Sequence, residues 1–149
     1  MENIKIKIMR MAGCEDLPLP KYMTPYSAGM DIYAAVTSKM ILMPGKRVLV
    51  PSGLAIALPP GVEAQIRPRS GLAINHGIIL LNSPGTIDSD YRGEIKIIMA
   101  NLGDEPINIK RGDRIAQMVL SKVFQGEWLL TDELPPTDRN EGGFGHTGR

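Results

Sequence analysis

Two aspartates spaced two residues apart make the segment NSPGTIDSDYRGEIK, at 82–96, a candidate for chemistry. A Pro-Gly pair near its start predicts a tight turn, so the segment reads as a β-hairpin whose second arm carries Asp88 and Asp90 on one face. Like charges on one face are unfavourable unless one is paired, with Arg92 or another arginine, or takes part in a reaction. The segment alone leaves the structural and functional interpretations equally open.

The segment RPRSGLA, at 67–73, combines an arginine with a helix start. Arg69 and Ser70 lie where a predicted strand gives way to a helical turn, and Gly71 allows a ligand to approach the backbone closely. The first N–H groups of a helix suit a phosphate, and an arginine fork adds hydrogen bonds to phosphate oxygens. Because Arg-Ser-Gly also occurs in many surface loops, this pattern alone is only weakly specific for phosphate.

Asp31 lies in SAGMDIYAA, at 27–35, within an otherwise apolar predicted strand. A carboxylate among small apolar side chains raises the free energy of the fold unless it has a partner such as a cation or a bound water. Taken alone, the segment favours a plain aspartate at a strand edge over a functional one.

The chain ends in a polar arm. RNEGGFGHTG, at 139–148, has four glycines in ten residues, which leaves too little side chain to pack and too much backbone entropy to lose for a strand or a helix. Apolar residues become sparse from Asp132 onward. We therefore expect residues 1–131 to form a folded core and residues 132–149 to form a flexible C-terminal arm.

Short β-prone runs must position these segments. Separated by Gly- and Pro-containing turns, they cover 39–43, 47–58, 62–67, 77–81, 93–102 and 113–124. The period of two in 4–8 predicts a further strand with its isoleucines on one face, whereas 70–77 reads as a helical turn closed by Gly77. This pattern predicts an all-β fold, a sandwich or jelly-roll-like barrel, with one short helix.

The composition argues against several classes of protein. The length of 149 residues fits one domain, and the net charge of +1 argues against a general binder of nucleic acids or membrane surfaces. The N-terminal residues alternate between polar and apolar, unlike a secretory signal or a membrane span. The single cysteine, Cys14, fits a reducing compartment. We therefore expect a cytoplasmic protein that binds neither nucleic acid nor membrane.

Taken together, five segments resemble the five ordered motifs of the homotrimeric deoxyuridine triphosphatases (dUTPases). They are AGMDIYAA, PRSGLA, NSPGTIDSDYRGE, GDRIAQMV and RNEGGFGHTG, in the family's order and spacing. The resemblance implies a β jelly roll in which three chains build three active sites at their interfaces. It also implies hydrolysis of dUTP to dUMP and pyrophosphate, which keeps uracil out of DNA and supplies dUMP for thymidylate synthesis.

The same resemblance assigns roles around the nucleoside. Asp88 is implied to hold the sugar 3′-hydroxyl and to orient or deprotonate the attacking water, which is general-base work. Tyr91 is implied to pack under the deoxyribose and exclude a 2′-hydroxyl, and at Lys96 the backbone is expected to matter more than the side chain. The substrate-binding residues of this hairpin are Asn82, Thr86, Ile87, Tyr91 and Lys96.

The triphosphate and its metal are assigned in the same way. The implied phosphate-binding residues of the core are Arg69, Ser70, Gly71 and Gln117. Mg²⁺ is expected to be held mainly by the phosphates, with Asp31 acting through a water, since this ion keeps several of its waters.

The arm is implied to close over the site of another subunit. Phe144 is expected to lie over the uracil ring, while Arg139 and Thr147 meet the γ-phosphate. Gly143 and Gly145 are expected to let backbone N–H groups wrap the phosphates. Closing the arm would exclude water from the site and strengthen its electrostatics.

Two alternatives remain beside a dUTP diphosphatase. A dCTP deaminase of the same superfamily would need a further polar constellation to activate water against cytosine C4. A non-catalytic nucleotide-binding regulator would be marked by loss of the base or of the arm, yet Asp88, Arg139 and Phe144 are all present. A β-sandwich without any ligand would leave the five motifs unexplained.

Overall fold

The computed structural model describes residues 3–143. Within that range the chain forms β-strands with one short helix. In chain order these elements are β1 Lys7–Arg10, β2 Gly29–Tyr33, β3 Met40–Leu42, β4 Arg47–Pro51, β5 Leu54–Ala57, β6 Val62–Arg67, α1 Ser70–His76, β7 Ile78–Leu80, β8 Gly85–Ile87, β9 Lys96–Asn101, β10 Ile107–Ile109 and β11 Arg114–Lys122.

Two larger sheets and two ribbons make up the described core, and all of their strand pairs are antiparallel. One sheet has the strand order β2-β11-β6-β8 and the other has the order β4-β9-β7. The ribbons are β1-β5 and β10-β3. An antiparallel, predominantly β architecture with one short helix agrees with the sequence prediction.

A single large hydrophobic cluster joins the two sheets. It takes Ile32 and Met118 from the four-stranded sheet and Val50, Ile97 and Met99 from the three-stranded one. Each of these side chains is at most 3% exposed. The burial of apolar surface between the sheets is therefore the main stabilising contribution to the core.

The sequence run 47–58 is divided into two strands. β4 ends at Pro51 and β5 begins at Leu54, because Gly53 between them has a φ of 69°, a conformation that favours glycine. A Cβ at Gly53 would also lie 2.6 Å from the sulfur of Cys14. The turn at Gly53 is therefore fixed both by its backbone and by its packing.

The first strand begins later than the predicted 4–8. β1 spans Lys7–Arg10, Ile4 and Ile8 are each 38% exposed, and only Ile6 packs on the core. β1 pairs with β5 alone, so this ribbon leaves most of the predicted apolar face in contact with solvent.

The predicted hairpin over 82–96 is wrong. β7, before the turn, pairs with β9, whereas β8, after the turn, pairs with β6. The residues between β7 and β8 thus cross from one sheet to the other. Asp88 follows β8 and Asp90 lies in a turn, so these two carboxylates do not share the face of a strand.

The predicted helical turn is confirmed as α1, Ser70–His76. Gly77 ends it with a φ of 65°, and its N–H donates to the carbonyl of Ala73 at 2.9 Å. A Cβ at Gly77 would lie 2.4 Å from the backbone nitrogen of Gly103. Glycine is therefore required here by conformation and by close backbone approach.

Candidate active site

A cavity of about 230 Å³ opens between β8 and β9, here named the β8–β9 cavity. Buried apolar side chains, including Ile66, Leu80 and Ile97, form part of its wall. Six of the residues predicted to contact or act on the nucleoside also line it: Asn82, Thr86, Ile87, Asp88, Tyr91 and Lys96. The structure therefore brings this predicted group together.

The cavity exists because β8 and β9 are not paired with each other in the described part of the chain. β9 is bonded to β4 on one edge and to β7 on the other. On the β7 edge, the N–H of Leu81 donates to the carbonyl of Ile98 at 3.0 Å. Backbone groups alternate between the two edges of a strand, so those of Lys96 point to the same edge as those of Ile98, beyond the end of β7. This is the orientation that a backbone role for Lys96 requires.

Asp88 lines the cavity directly after the end of β8. The residue is exposed, and its carboxylate has no hydrogen bond or ion pair to residues 3–143. Arg92, one of the possible partners considered for the two aspartates, donates from Nη1 to the carbonyls of Ser89 and Tyr91, at 2.7 and 2.8 Å. Of the alternatives that the sequence left open, pairing with Arg92 is not found among residues 3–143, and Asp88 keeps its acceptor sites for a ligand or a water.

Tyr91 is held in place by its own loop. Its hydroxyl donates to the carbonyl of Glu94 at 3.0 Å, and its N–H donates to the carbonyl of Asp88 at 3.2 Å. A Cβ at Gly93 would lie 2.3 Å from the Tyr91 oxygen, so the ring occupies space that any side chain at Gly93 would need. The side chain that lines the cavity is thus fixed at both its backbone and its hydroxyl.

A second group of predicted residues lies around the arginine cluster, which consists of Asp31, Arg69 and Arg114. Nε of Arg69 donates to Oδ1 of Asp31 and Nη1 of Arg114 donates to Oδ2, both at 3.0 Å. The Asp31 side chain is only 14% exposed. The partner that this carboxylate was expected to need is therefore a pair of arginines.

Gln117 lies beside the arginine cluster, since it faces Asp31 across β2 and Arg67 across β6. Its Nε2 donates to the carbonyl of Pro68 at 3.0 Å. A Cβ at Gly29 would lie 2.3 Å from its Oε1. The absence of a side chain at Gly29 therefore allows Gln117 to adopt this orientation next to the loop that leads into α1.

Ser70 and Gly71 form the exposed start of α1, directly after Arg69. A Cβ at Gly71 would meet no atom of residues 3–143 within 4 Å, so packing among them does not explain the glycine. None of the predicted phosphate-binding or metal-binding residues of the core lines the β8–β9 cavity. Among residues 3–143, the predicted site is thus divided between two places in the chain.

The described part of the arm, residues 132–143, is exposed over most of its length. The residues just before it, Trp128, Leu129 and Leu130, are also 97%, 90% and 98% exposed. Arg139 donates from Nε to the carbonyl of Gly142 at 2.6 Å, a contact within the arm itself. Gly143 is the last described residue. The predictions for Phe144, Gly145 and Thr147 lie outside the described residues.

Sequence reasoning missed two residues of these sites. Arg114 lies in GDRIAQMV, but its role beside Asp31 depends on the pairing of β2 with β11, which the sequence does not reveal. Glu94 lines the β8–β9 cavity, and its Oε1 accepts the N–H of Gly53 at 2.9 Å. No local pattern connects positions 41 residues apart.

Mg²⁺ fits the arginine cluster only if most of its ligands are substrate phosphates and waters and not protein side chains. Residues 3–143 contain no group of three or more His, Cys, Asp and Glu side chains able to hold a metal. A carboxylate has about four acceptor sites, so Asp31 retains capacity for a water beyond its two arginine contacts. Binding through substrate phosphates, with one water-mediated protein contact, suits Mg²⁺.

The described part of the chain has no helix long and apolar enough to cross a membrane.

Comparison with known proteins identifies the sequence family. The dUTPase family model matches residues 15–148. The deoxyuridine 5′-triphosphate nucleotidohydrolase of Caldanaerobacter subterraneus subsp. tengcongensis is 56% identical over 146 residues, covering 98% of this chain and 99% of the relative. The enzyme of the same name from Anaplasma marginale is 57% identical over 145 residues, covering 97% and 99%.

Solved structures of similar fold agree with this result. A mutant dUTPase of Staphylococcus bacteriophage 80alpha with dUpNHpp has a TM-score of 0.87 and 19% identity, covering 99% of this chain and 100% of that chain. A mutant dUTPase from phage phi11 of S. aureus, described with a structural Mg(II) ion, has a TM-score of 0.78 and 19% identity, covering 87% and 98%. These likenesses confirm the expected jelly-roll fold.

The family resemblance inferred from five short motifs is confirmed over nearly the whole chain. The curated relatives are named for hydrolysis of deoxyuridine triphosphate, so the expectation of a dUTP-hydrolysing enzyme is confirmed and the deaminase alternative is not favoured. The chain belongs to the dUTPase family.

Proposed function

We propose that this chain hydrolyses dUTP to dUMP and pyrophosphate, with Asp88 directing a water at the α-phosphate. The observation that carries the proposal is the convergence of six predicted residues on the β8–β9 cavity, with the Asp88 carboxylate among them. Because this carboxylate has no protein partner in the described chain, it can accept a proton from water and a hydrogen bond from the sugar 3′-hydroxyl. Pyrophosphate then leaves with the electrons of the α–β phosphate bond.

Uracil recognition is assigned to the walls of the cavity. Asn82, Thr86, Ile87 and the Lys96 backbone surround a space between two strands that do not pair with each other. A base inserted there would take hydrogen bonds that a neighbouring strand would otherwise take. Cytosine, which reverses part of the donor–acceptor pattern of uracil, would leave buried polar groups unpaired and be rejected.

Discrimination against ribose is assigned to Tyr91. The ring lines the cavity and its hydroxyl is tied to the Glu94 carbonyl. A ring held at both ends cannot easily move aside for an added 2′-hydroxyl. The site would therefore reject UTP through steric exclusion.

The phosphates are assigned to the neighbourhood of the arginine cluster. Arg69 supplies charge, Ser70 and Gly71 supply an exposed turn, and Gln117 supplies an amide. Mg²⁺, bound mainly by the three phosphates, would neutralise part of their charge. Asp31 would reach this ion through a water while holding Arg69 in position.

The division of these groups between two places supports a homotrimer with shared active sites. One copy would supply the β8–β9 cavity and another the arginine cluster. Trp128, Leu129 and Leu130, each at least 90% exposed, would be covered by a neighbouring copy. The arm, residues 132–149, would then close over a site, with Arg139 and Thr147 on the γ-phosphate, Gly143 and Gly145 wrapping the phosphates, and Phe144 over uracil.

The proposal places the enzyme in the cytoplasm, with no nucleic-acid partner. The single cysteine of the sequence and the net charge of +1 support this assignment.

Pyrophosphate release from dUTP, dCTP, dTTP and UTP, each with Mg²⁺ and with a chelator, tests the proposal. Release from dUTP alone, lost on chelation, is the expected result. Ammonia release from dCTP would identify a deaminase. Binding of dUTP without turnover would identify a regulator. Light scattering on the same preparation tests the trimer, and a monomer that turns over dUTP at full rate would contradict the shared site.

A further inference from the structure

We infer that Glu94 is a positioning residue whose carboxylate fixes the Tyr91 loop to the β4–β5 turn, and that this contact sets how strictly the site rejects ribose. The inference deepens the proposed function and rests on the role of Tyr91 in it. Glu94 is not assigned to any step of the reaction.

The carboxylate of Glu94 is bound to a rigid part of the core. Its Oε1 accepts the N–H of Gly53 at 2.9 Å, and its side chain is only 18% exposed. Gly53 has a φ of 69° and packs so closely on Cys14 and Ala35 that a Cβ there would lie within 3.0 Å of both. The hydrogen-bond donor therefore cannot follow the loop if the loop moves.

The residue after Glu94 is held by the same turn. The buried Ser52 donates from Oγ to the carbonyl of Ile95 at 2.6 Å, and the N–H of Ile95 donates to the carbonyl of Leu54 at 2.8 Å. The backbone is thus fixed from Ile95 onward. On the preceding side, the hydrogen bond from the Gly53 N–H to the Glu94 side chain links the loop to this turn within residues 3–143.

Tyr91 depends directly on the position of Glu94. Its hydroxyl donates to the Glu94 carbonyl, and the ring fills the space over Gly93. The Glu94 carbonyl shares a planar peptide with the Ile95 N–H, which the Leu54 carbonyl holds. The carboxylate therefore restrains the Glu94 Cα and the adjoining Gly93, over which the ring packs, and not this acceptor. Release of the carboxylate should allow the ring to shift away from the cavity and make room for a 2′-hydroxyl.

The hydrogen bond, rather than the negative charge, is the relevant property of Glu94. Its contact with Nζ of Lys96 is 3.7 Å long, and the Lys96 side chain is 48% exposed. Ion pairs of this kind contribute little. A glutamine retains an oxygen that can accept the Gly53 N–H, whereas an alanine does not, so the two substitutions separate these effects.

The test is the ratio of kcat/KM for dUTP to kcat/KM for UTP in Glu94→Ala, Glu94→Gln and the parent. Glu105→Ala is the matched control, because it removes an exposed carboxylate that does not line the β8–β9 cavity. Glu94→Ala should lower the ratio by about tenfold, the upper end of what the loss of one hydrogen bond gives. Glu94→Gln and Glu105→Ala should stay within about threefold of the parent.

Equal ratios in Glu94→Ala and the parent, or equal losses in the alanine and glutamine variants, would overturn the inference. Thermal unfolding checks that each variant is folded. If Glu94→Ala does not fold, Glu94→Asp takes its place, because the shorter side chain keeps the charge but withdraws the oxygen from Gly53. A parent that fails to hydrolyse dUTP would refute the proposed function itself, whereas a selective parent with an equally selective alanine variant would refute only the role of Glu94.

Discussion

The β8–β9 cavity and the arginine cluster differ in what their polar groups already bind. At the cavity, the Asp88 carboxylate has no partner in the described chain and the Lys96 backbone points beyond the end of β7. In the cluster, both oxygens of Asp31 are bonded to arginines. The β8–β9 cavity therefore offers hydrogen-bonding groups without a partner among residues 3–143, whereas the arginine cluster holds charged groups that orient one another.

This difference fits the two halves of the proposed substrate. A neutral base is recognised by a few directional hydrogen bonds in a mostly apolar pocket. Backbone groups held by neighbouring strands can supply hydrogen bonds of fixed direction. A triphosphate is recognised by charge, and two guanidinium groups against one carboxylate leave one positive charge in the cluster. Asp31 can thus orient Arg69 before the substrate arrives, which lowers the entropy lost on binding.

The largest effect is expected from Asp88→Asn. The amide cannot take a proton from water, so kcat should fall by about 10²–10⁴-fold while binding of a non-hydrolysable dUTP analogue is retained. Asp90→Asn is the matched control, since Asp90 is an exposed aspartate two residues away that does not line the β8–β9 cavity. Steady-state kinetics and titration calorimetry measure the two quantities. Parent-like turnover in Asp88→Asn would show that the unpartnered carboxylate is not the base.

Removal of residues 138–149 tests whether the two regions need the arm to act together. Turnover should fall by about 10²-fold or more, because phosphate contacts and water exclusion are lost. The melting temperature should change little, since the contacts of Arg139 and Gly142 lie within the arm. Arg139→Ala, which keeps the arm but removes the predicted γ-phosphate contact, should give an intermediate loss. Unchanged turnover after truncation would show that the arm does not contribute to the reaction.

Asp31→Asn separates the two roles assigned to Asp31, which are contact with Mg²⁺ through a water and the positioning of Arg69. If it contacts Mg²⁺ through a water, the Mg²⁺ concentration for half-maximal turnover should rise by about tenfold, as for other residues that act on a metal indirectly. Arg114→Gln is the control, because it removes one arginine contact but keeps the carboxylate. At saturating dUTP, the metal dependence of Arg114→Gln should match that of the parent. An unchanged Mg²⁺ titration in Asp31→Asn would show that Asp31 does not act on the metal and serves only to bind the two arginines.

The sequence predicted the kinds of element better than their pairing. Gly77 indicated the end of α1 correctly, because a left-handed C-cap has a local signal. The Pro-Gly turn before Asp88 was interpreted as a hairpin, yet its flanking strands enter different sheets. Two contacts could not be predicted from local patterns. Arg114 and Asp31 are 83 positions apart in the sequence, and Glu94 and Gly53 are 41 positions apart. Motif resemblance supplied the site residues that local patterns left ambiguous.

The smallest effect is expected at Asp16, where a similar carboxylate–guanidinium pair lies outside both regions. Nε of Arg111 donates to Oδ2 of Asp16 at 2.9 Å, and this hydrogen bonding lowers the pKa of Asp16, whose side chain is 60% exposed. Because the folded-state pKa lies below the unfolded value of about 3.9, the stabilisation is present above that pH and is lost as pH falls through the folded pKa.

Asp16→Asn should therefore melt slightly below the parent at pH 7, and the two melting curves should converge as the pH falls below about 4. Asp104→Asn is the control, since Asp104 is exposed and has no hydrogen bond or ion pair of its side chain to residues 3–143. At pH 7 its melting temperature should match that of the parent. Exposed ion pairs contribute little, whereas the less exposed Asp31 pairs should contribute more. We therefore expect Asp31→Asn to lower the melting temperature more than Asp16→Asn does. The opposite order would contradict the view that burial strengthens the ion pairs of the arginine cluster.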